Sequence, residues 1–223
     1  MFGDSQDLFL ERRHPENPHL FKHGDSWEEA SLRREEIEVR GREEPHTTEI
    51  VKTRHGPLIS RDPPMSLRWT AHEIETSTLD AFLDINRARD WREFQLALQN
   101  FSLPVQVLVY ADVEGNIGLR AAGLLPVRKK GRGAAPSPGW KEEYGWEGFI
   151  PRQQMPGKLN PEQGYLAAAN HRLAPQDYPY TIDVDPAPPY RMQRITQFLE
   201  SRKGGQARLP EGETSIFSPL IPG

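Results

Sequence analysis

Alternation of apolar and polar residues predicts several β-strands. Residues 37–40 and 48–53 each alternate with a period of two, and the polar run 41–45 lies between them, so two half-buried antiparallel strands are predicted. Residues 105–120 carry the clearest β pattern, a hairpin with a tight turn at 113–116. Two shorter strands are predicted at residues 6–13 and 65–70.

Helical spacing of apolar residues is concentrated in two regions. Residues 76–100 predict two consecutive helices, and the second begins with a capping box in which Asp90 is the N-cap and Glu93 lies three residues on. The aromatic stripe of this second helix is expected in the core. A last helix is predicted at residues 190–201, after a proline-rich segment.

Between these regions the pattern weakens. Residues 126–163 are rich in proline, glycine and aromatic residues and are predicted to be loops. Residues 164–169 form a short apolar run, predicted to be a strand that ends at Asn170. No usable period continues beyond Gly204. We therefore expect one unit over residues 1–203 and an irregular tail over residues 204–223.

Composition narrows the possible functions. The 223-residue chain has no cysteine, which excludes disulfide frameworks, thiol nucleophiles and thiolate metal sites. No apolar run approaches the roughly 18 residues that a membrane-spanning helix needs, and no signal-peptide pattern is present. The formal net charge is −4, and the only basic run, residues 128–132, is predicted to be a solvated loop rather than a nucleic-acid site. With 36% hydrophobic residues, the core is expected to be thin.

Candidate chemistry from spacing alone is sparse. Residues 112–116 imitate the start of a calcium-binding loop, but Ile117 and Gly123 stand where an EF-hand needs Gly and Glu, so a hairpin turn is predicted. Asp4 and Asp7 are three residues apart around a turn and could share a hard cation with a main-chain carbonyl between them. The alternative for these aspartates is an ordinary turn or strand cap.

Several segments taken together, in order, resemble the β subunit of the penicillin acylase family. The resemblance covers about residues 2–200 and implies an α+β protein, part of the four-layer αββα fold of N-terminal-nucleophile hydrolases, with antiparallel sheets. It also implies hydrolysis of a linear amide, typically in a penicillin or a related acylated amine. The segments that carry the resemblance are residues 2–12, 53–57, 67–70, 86–91, 110–118, 146–151, 159–161, 164–167, 169–170 and 189–191.

The resemblance also implies roles for individual residues. Asn170 matches the oxyanion-hole asparagine, although it could instead cap a turn, and Arg191 matches an arginine that positions groups in the active site, although it could be an ordinary surface arginine. The family's structural calcium site matches Asp4, Asp7 and the main-chain carbonyl of Gln6. The remaining aspartate of that calcium site corresponds to either Asp183 or Asp185.

The family's nucleophile is an N-terminal serine activated by its own α-amino group, whereas this sequence starts with Met1. We therefore expect a fragment that lacks the nucleophile, is inactive alone, and has the α subunit and the remainder of the β subunit as partners. Its substrate would be a small acylated amine, with no nucleic acid or membrane involved. The alternative is a non-catalytic binding protein derived from the acylase fold, and an unrelated small α+β hydrolase is a weaker third hypothesis.

Overall fold

The computed structural model describes residues 4–72 and 77–201. Its longer helices are α1 (Thr78–Ile85), α2 (Trp91–Ala97) and α3 (Tyr190–Glu200), and single 3-10 turns occupy Thr70–His72, Leu98–Asn100 and Arg152–Gln154. The strands are β1 (Gln6–Leu10), β2 (Leu20–His23), β3 (Ser26–Glu29), β4 (Ser31–Ile37), β5 (His46–Thr53), β6 (Gly56–Arg61), β7 (Pro64–Trp69), β8 (Gln106–Ala111), β9 (Ile117–Ala122), β10 (Pro126–Arg128), β11 (Ser137–Pro138), β12 (Trp146–Phe149) and β13 (Gly157–Leu159).

The largest sheet has six strands in the order β11-β1-β7-β6-β5-β4. Neighbouring strands are antiparallel, except that β11 joins β1 in parallel. The remaining strands form the hairpin β2-β3, the pair β10-β12 and the sheet β13-β9-β8. This mixture of antiparallel sheets with few helices confirms the predicted α+β class.

The two faces of the six-stranded sheet differ in their packing. One face carries Phe9, Val51 and Ser66, all of which are buried. The register pairs Leu8 with Leu67, and because side chains alternate along a strand, these two leucines point to the opposite face. Ile59, on the neighbouring strand, is 54% exposed and lines an open pocket together with Leu8 and Leu67. We call the surface formed by Leu8, Ile50, Ile59 and Leu67 the open apolar face.

The helices α1 and α2 pack against the hairpin β8-β9. Ala81, Phe94, Leu98, Phe101 and Ala122 form the buried centre of this contact, so the aromatic stripe of α2 lies in the core as predicted. A second cluster on the other side of β9 consists of Val105, Ala121, Leu125, Ile150, Met155 and Ile182.

Local signals for the helices and the hairpin are confirmed. The Asp90 side chain accepts a 2.7 Å hydrogen bond from the backbone N–H of Glu93, and the turn after β8 is held by Asp112, whose carboxylate accepts from the backbone N–H groups of Glu114 and Asn116. Helix α3 covers almost all of the predicted range. The predicted tail lies outside the described residues.

Two strand predictions and one loop prediction were wrong. The partner of β5 is β4 at Ser31–Ile37, whereas the strand had been predicted at residues 37–40. The shift was missed because β4 is mostly exposed and lacks the expected apolar alternation. Residues 164–169 form no strand, and the chain turns at Gly164, whose φ is +76°. Residues 126–163 contain the four short strands β10–β13, each paired with a neighbour that local pattern cannot reveal.

Candidate active-site and cation-site residues

The two residues matched to the acylase active site lie together. The Arg191 Nη2 group donates to the side-chain oxygen of Asn170 at 2.9 Å and to the carbonyl of Ala169 at 3.0 Å. Arginine is only a donor, so the Asn170 atom facing it must be the amide oxygen. The NH2 group of Asn170 is therefore the part of this side chain that remains for donation to another group.

The backbone around Asn170 is fixed as well. Asn170 has a φ of +58°, in the left-handed region that asparagine tolerates better than most residues. Its carbonyl accepts a 2.9 Å hydrogen bond from the N–H of Ala187, which ties residue 170 to the segment leading into α3. Arg191 is the second residue of that helix. The start of α3 and the turn at Asn170 thus hold each other in place, although no strand precedes the turn.

The neighbouring histidine is biased toward its neutral form. Burial lowers the pKa of His171 from its ordinary value of 6.5. Its Nδ1 accepts a weak hydrogen bond from the backbone N–H of Ala169 at 3.4 Å, which is possible only if that nitrogen carries no proton. Around Asn170 the described side chains therefore offer one fixed cation, Arg191, and the free amide NH2.

Asp4 and Asp7, matched to the calcium site, surround an arginine. The Nε group of Arg128 donates to both oxygens of Asp7 at 3.0 and 2.9 Å, and its Nη2 group lies 3.1 Å from Asp4 Oδ2. The Arg128 side chain is only 5% exposed. The prediction of a solvated loop at residues 128–132 is therefore wrong for Arg128, because its partners are far away in sequence.

Gly133 closes over this cluster. A Cβ atom at position 133 would lie 2.5 Å from Asp4 Oδ2 and 2.6 Å from Asp7 Oδ1, and the φ of +80° also favours glycine. Burial raises the pKa of Asp4 above its ordinary value of 3.8, an effect that the nearby Arg128 opposes. The acidic pair is thus packed tightly against backbone as well as against a cation.

The fit to a hard cation is partial. Asp4 Oδ2 is buried and has no hydrogen-bond partner among the described residues, but Arg128 Nη2 lies 3.1 Å from it and already compensates its charge. Asp183 lies on the same side, since the N–H of Asp4 donates to the carbonyl of Ile182 and the Asp183 charge acts on Asp4. Asp185 makes no comparable contact within the described chain. In residues 4–72 and 77–201, no three His, Asp or Glu side chains converge as a metal site, so main-chain carbonyls such as that of Gln6 would be needed.

A buried polar cluster was not anticipated from the sequence. Glu11 Oε1 accepts hydrogen bonds from the Thr53 hydroxyl at 2.9 Å, from His55 Nδ1 at 3.0 Å and from the Ser66 hydroxyl. Phe9 stacks on the His55 ring at 4.0 Å. Burial alone would raise the pKa of Glu11, but the hydrogen bonds from His55 and Ser66 outweigh it and lower the pKa below 4.5.

This cluster is not arranged for nucleophilic catalysis. A nucleophilic serine must be reachable by its substrate, whereas Ser66, whose hydroxyl donates to Glu11, is completely buried. The cluster links β1, β5 and β7 through one carboxylate, which indicates a structural role. The residues lie far apart in the sequence. Glu11, Thr53 and His55 fall within segments that resembled the acylases, whereas Ser66 does not.

Known proteins are similar in sequence to this chain over most of its length. The penicillin amidase family model matches residues 1–212. Penicillin acylase 2 proenzyme from Pseudomonas sp. is 33% identical over 202 residues, which cover 89% of this chain and 26% of the relative. The acyl-homoserine lactone acylase QuiP of Pseudomonas fluorescens is 32% identical and is covered to the same 26%, with 90% of this chain aligned.

A solved structure agrees with these relatives. The thermostable penicillin G acylase from Alcaligenes faecalis superposes with a TM-score of 0.75 at 26% identity, over 88% of this chain and 36% of the other. The chain spans about a quarter of the length of the curated relatives it matches. Within the described residues, no helix is both long and apolar enough to cross a membrane. The extent of the family match shows that this chain belongs to the penicillin amidase family.

Proposed function

We propose that this chain supplies the oxyanion-stabilising part of an amide hydrolase that acts on linear amides of acylated amines. The observation that carries the proposal is the hydrogen bond from Arg191 to the Asn170 side-chain oxygen. This bond fixes the orientation of the amide, so its NH2 group is preorganised as a donor. Such a donor stabilises the negative charge that develops on the carbonyl oxygen when a nucleophile attacks an amide.

Arg191 acts through Asn170 in this proposal. It holds the amide oxygen and the Ala169 carbonyl at the same time, so it positions the donor rather than performing a proton transfer. The names of the relatives support an acylase: one group is named for penicillin and the other for acyl-homoserine lactones. Both groups are named acylases.

The nucleophile is proposed to come from polypeptide outside this chain. Among the described residues, no serine hydroxyl is hydrogen-bonded to a histidine ring, and Ser66 is committed to Glu11. Since the chain spans about a quarter of its relatives, an acylase of their size would contain ample additional sequence for the α subunit and the rest of the β subunit. In isolation the chain should bind or position an acyl amide without cleaving it.

A chimera tests the proposal. The matching segment of Escherichia coli penicillin G acylase, which is 33% identical, would be replaced by this chain and penicillin G hydrolysis measured. Asn170→Ala should lower kcat by about 100- to 1000-fold, the usual loss for one oxyanion donor. Asn100→Ala, at an exposed asparagine, is the matched control and should leave kcat unchanged.

Two results would contradict the proposal. One is an Asn170→Ala chimera with the kcat of the unmodified chimera, and the other is a folded and processed chimera without activity. In the isolated chain, turnover of phenylacetyl or long-chain acyl amides that disappears in Asn170→Ala would instead reveal a nucleophile within residues 1–223. Ligand binding without cleavage in every setting would favour the non-catalytic alternative.

We further propose that calcium binds at the Asp4–Asp7 pair. Asp4 Oδ2, which accepts no hydrogen bond but is ion-paired with Arg128, the Asp7 carboxylate and the Gln6 carbonyl are oxygen ligands of the kind that calcium prefers. Asp183, whose charge raises the pKa of Asp4, is the further aspartate in this proposal. A bound calcium ion would offset the repulsion between these carboxylates and hold the start of β1 to the segment at residues 182–183.

The open apolar face is the proposed contact for the remaining acylase polypeptide. Ile50 and Ile59 are 38% and 54% exposed, and Leu8 and Leu67 continue the same face toward β1. A sheet that is apolar on both faces is typical of an inner layer, which needs cover on both sides. The loop at residues 133–136 lines the same pocket as Leu8, Ile59 and Leu67.

A further inference from the structure

A pair of arginines without acidic partners lines a small pocket between α2 and the sheet β13-β9-β8. Arg120 lies on β9, and Arg152 begins the 3-10 turn that precedes β13. Both side chains line one pocket of about 130 Å³, together with Gln95, Gln99 and Gln153. The pocket lies apart from Asn170 and from the Asp4–Asp7 pair.

Both guanidinium groups are held rigidly by main-chain carbonyls. Arg120 Nη2 donates to the carbonyls of Arg152 at 2.7 Å and Gln153 at 3.1 Å. Arg152 Nη1 donates to the carbonyls of Leu98 at 3.2 Å and Phe101 at 2.6 Å. Each arginine thus uses one terminal nitrogen as an anchor. The other N–H donors of each group are left for a further partner, because a guanidinium carries five.

The positive charges are not neutralised within the described part of the chain. No carboxylate there forms an ion pair with either arginine, and no Asp or Glu contributes to the electrostatics of either group; the ionisable side chain that acts on Arg120 is the Tyr178 phenol. Burial lowers the pKa of both guanidinium groups from 12.5, because it partly removes their charged forms from water. Carbonyl dipoles at the end of α2 compensate Arg152 in part, but they supply no net negative charge.

The geometry points to a binding site for a small carboxylate in this pocket. Two fixed guanidinium groups provide charge-assisted hydrogen bonds to an oxyanion, and the glutamine amides add neutral donors. The buried side chains of Leu98 and Met155 form an apolar wall beside them. A cavity of about 150 Å³ holds benzene, so the pocket suits a carboxylate with a short alkyl chain.

Butyrate is a suitable probe, with butyramide as its uncharged isostere. Titrations of the 15N-labelled 223-residue chain would follow the backbone amide signals of Gln99 and Gln153 in two-dimensional NMR spectra at constant ionic strength. The expected result is saturable movement of these signals with butyrate and none with butyramide. Equal responses to both compounds, or no saturable response to butyrate, would overturn the proposal.

Substitutions of the two arginines test whether butyrate binds in this pocket. Arg120→Gln and Arg152→Gln should each weaken butyrate binding at least about tenfold, which corresponds to about 1.4 kcal/mol. Arg92→Gln is the matched control, because Arg92 is an exposed arginine on α2 that does not line the pocket, and it should bind butyrate normally. Unchanged binding in both pocket variants would place butyrate elsewhere and overturn the assignment.

A fourth variant tests the same charge balance without removing an arginine. Gln95→Glu introduces a carboxylate into the pocket wall and should compete with butyrate, so that binding is lost while the melting temperature rises. A lower melting temperature together with retained butyrate binding would contradict the proposal. This test is independent of the proposed amide hydrolysis, since it requires no turnover and none of its variants touches Asn170 or Arg191.

Discussion

Arg128 donates from its Nε group to both carboxylate oxygens of Asp7, across 121 residues of sequence. Trp146 donates its indole N–H to Asp7 as well, and Arg68 stacks over the Trp146 ring at 4.5 Å. The first strand of the six-stranded sheet is therefore joined to the pair β10-β12 by a buried ion pair. Because both partners are almost fully buried, removing one leaves a charge without compensation.

Arg128→Met should lower the free energy of unfolding by about 3–5 kcal/mol, the usual result when one partner of a buried ion pair is removed. Urea unfolding followed by circular dichroism measures the change. Lys129→Met is the control, since Lys129 is exposed and next in sequence, and it should change stability by less than about 0.5 kcal/mol. A similar small effect for Arg128→Met would show that the ion pair is not retained in solution.

Arg128 also shows why part of the structure could not be predicted from the sequence. Asp90 and Glu93 are three residues apart, so their capping interaction is readable from the sequence. Arg128 finds its partners over 120 residues away, and nothing in its basic neighbourhood indicates burial. The strand predicted at residues 164–169 was wrong for a related reason, because this run of small apolar residues has no partner strand in the fold.

The proximity of Asn170 and Arg191 could not be predicted from local sequence pattern or from periodicity. Neither residue has a distinctive local pattern, and the 20 residues between them contain no regular element before α3 begins at Tyr190. Their pairing was suggested only through the family resemblance. The structure adds which atom of Asn170 faces Arg191, and the catalytic role of that pairing stays a prediction.

Stability should fall in acid partly through Glu11. Its pKa is lower in the folded state, so its contribution is fully present above the unfolded carboxyl value of about 4.5 and is lost as the pH falls through the folded value. Glu11→Gln should lower the free energy of unfolding by about 1.5–3 kcal/mol at pH 7, because hydrogen bonds to a charged group are lost.

Urea unfolding between pH 7 and pH 3 measures this effect. The difference between wild type and Glu11→Gln should shrink as the pH decreases below about 4.5. Glu16→Gln, at an exposed glutamate, controls for a general change in charge. A difference that stays constant over the whole range would show that Glu11 does not titrate with a lowered pKa in the folded chain.

The close contact between β9 and α2 depends on a glycine. A Cβ atom at Gly118 would lie 2.3 Å from the Trp91 ring, and Trp91 also packs against Phe94 and Tyr110. Gly118→Ala should therefore lower the free energy of unfolding by about 1–3 kcal/mol through overpacking. Gly145→Ala is the control, because its nearest neighbours are 3.9 Å away. Equal melting temperatures for the two variants would contradict the packing argument.

Calcium should stabilise the chain if the Asp4–Asp7 pair binds it. A concentration a hundred times the dissociation constant adds about 2.7 kcal/mol to the free energy of unfolding. Thermal melts with calcium chloride, compared with sodium chloride at equal ionic strength, should show a higher melting temperature that EDTA reverses. Asp4→Asn should abolish this response and Asp25→Asn, at an exposed site, should retain it. A calcium response that survives Asp4→Asn would place the ion elsewhere.

The open apolar face should make the isolated chain bind hydrophobic dyes. Ile59 is 54% exposed at the centre of this face, so Ile59→Lys should reduce 8-anilinonaphthalene-1-sulfonate fluorescence without lowering the melting temperature by more than about 2–4 °C. Val109→Lys replaces another exposed β-branched residue, 64% exposed on β8, and should leave the fluorescence unchanged.

The proposed occupant of this face can be distinguished from a second copy of the chain. Sedimentation velocity over a range of concentrations detects self-association, and its loss in Ile59→Lys would favour a dimer through this surface. A monomer is expected instead. In the Escherichia coli chimera, Ile59→Lys should then lower the yield of assembled enzyme, whereas Val109→Lys should not. Normal assembly of the Ile59→Lys chimera would show that the remaining acylase polypeptide does not cover this face, because a buried lysine without a partner is costly.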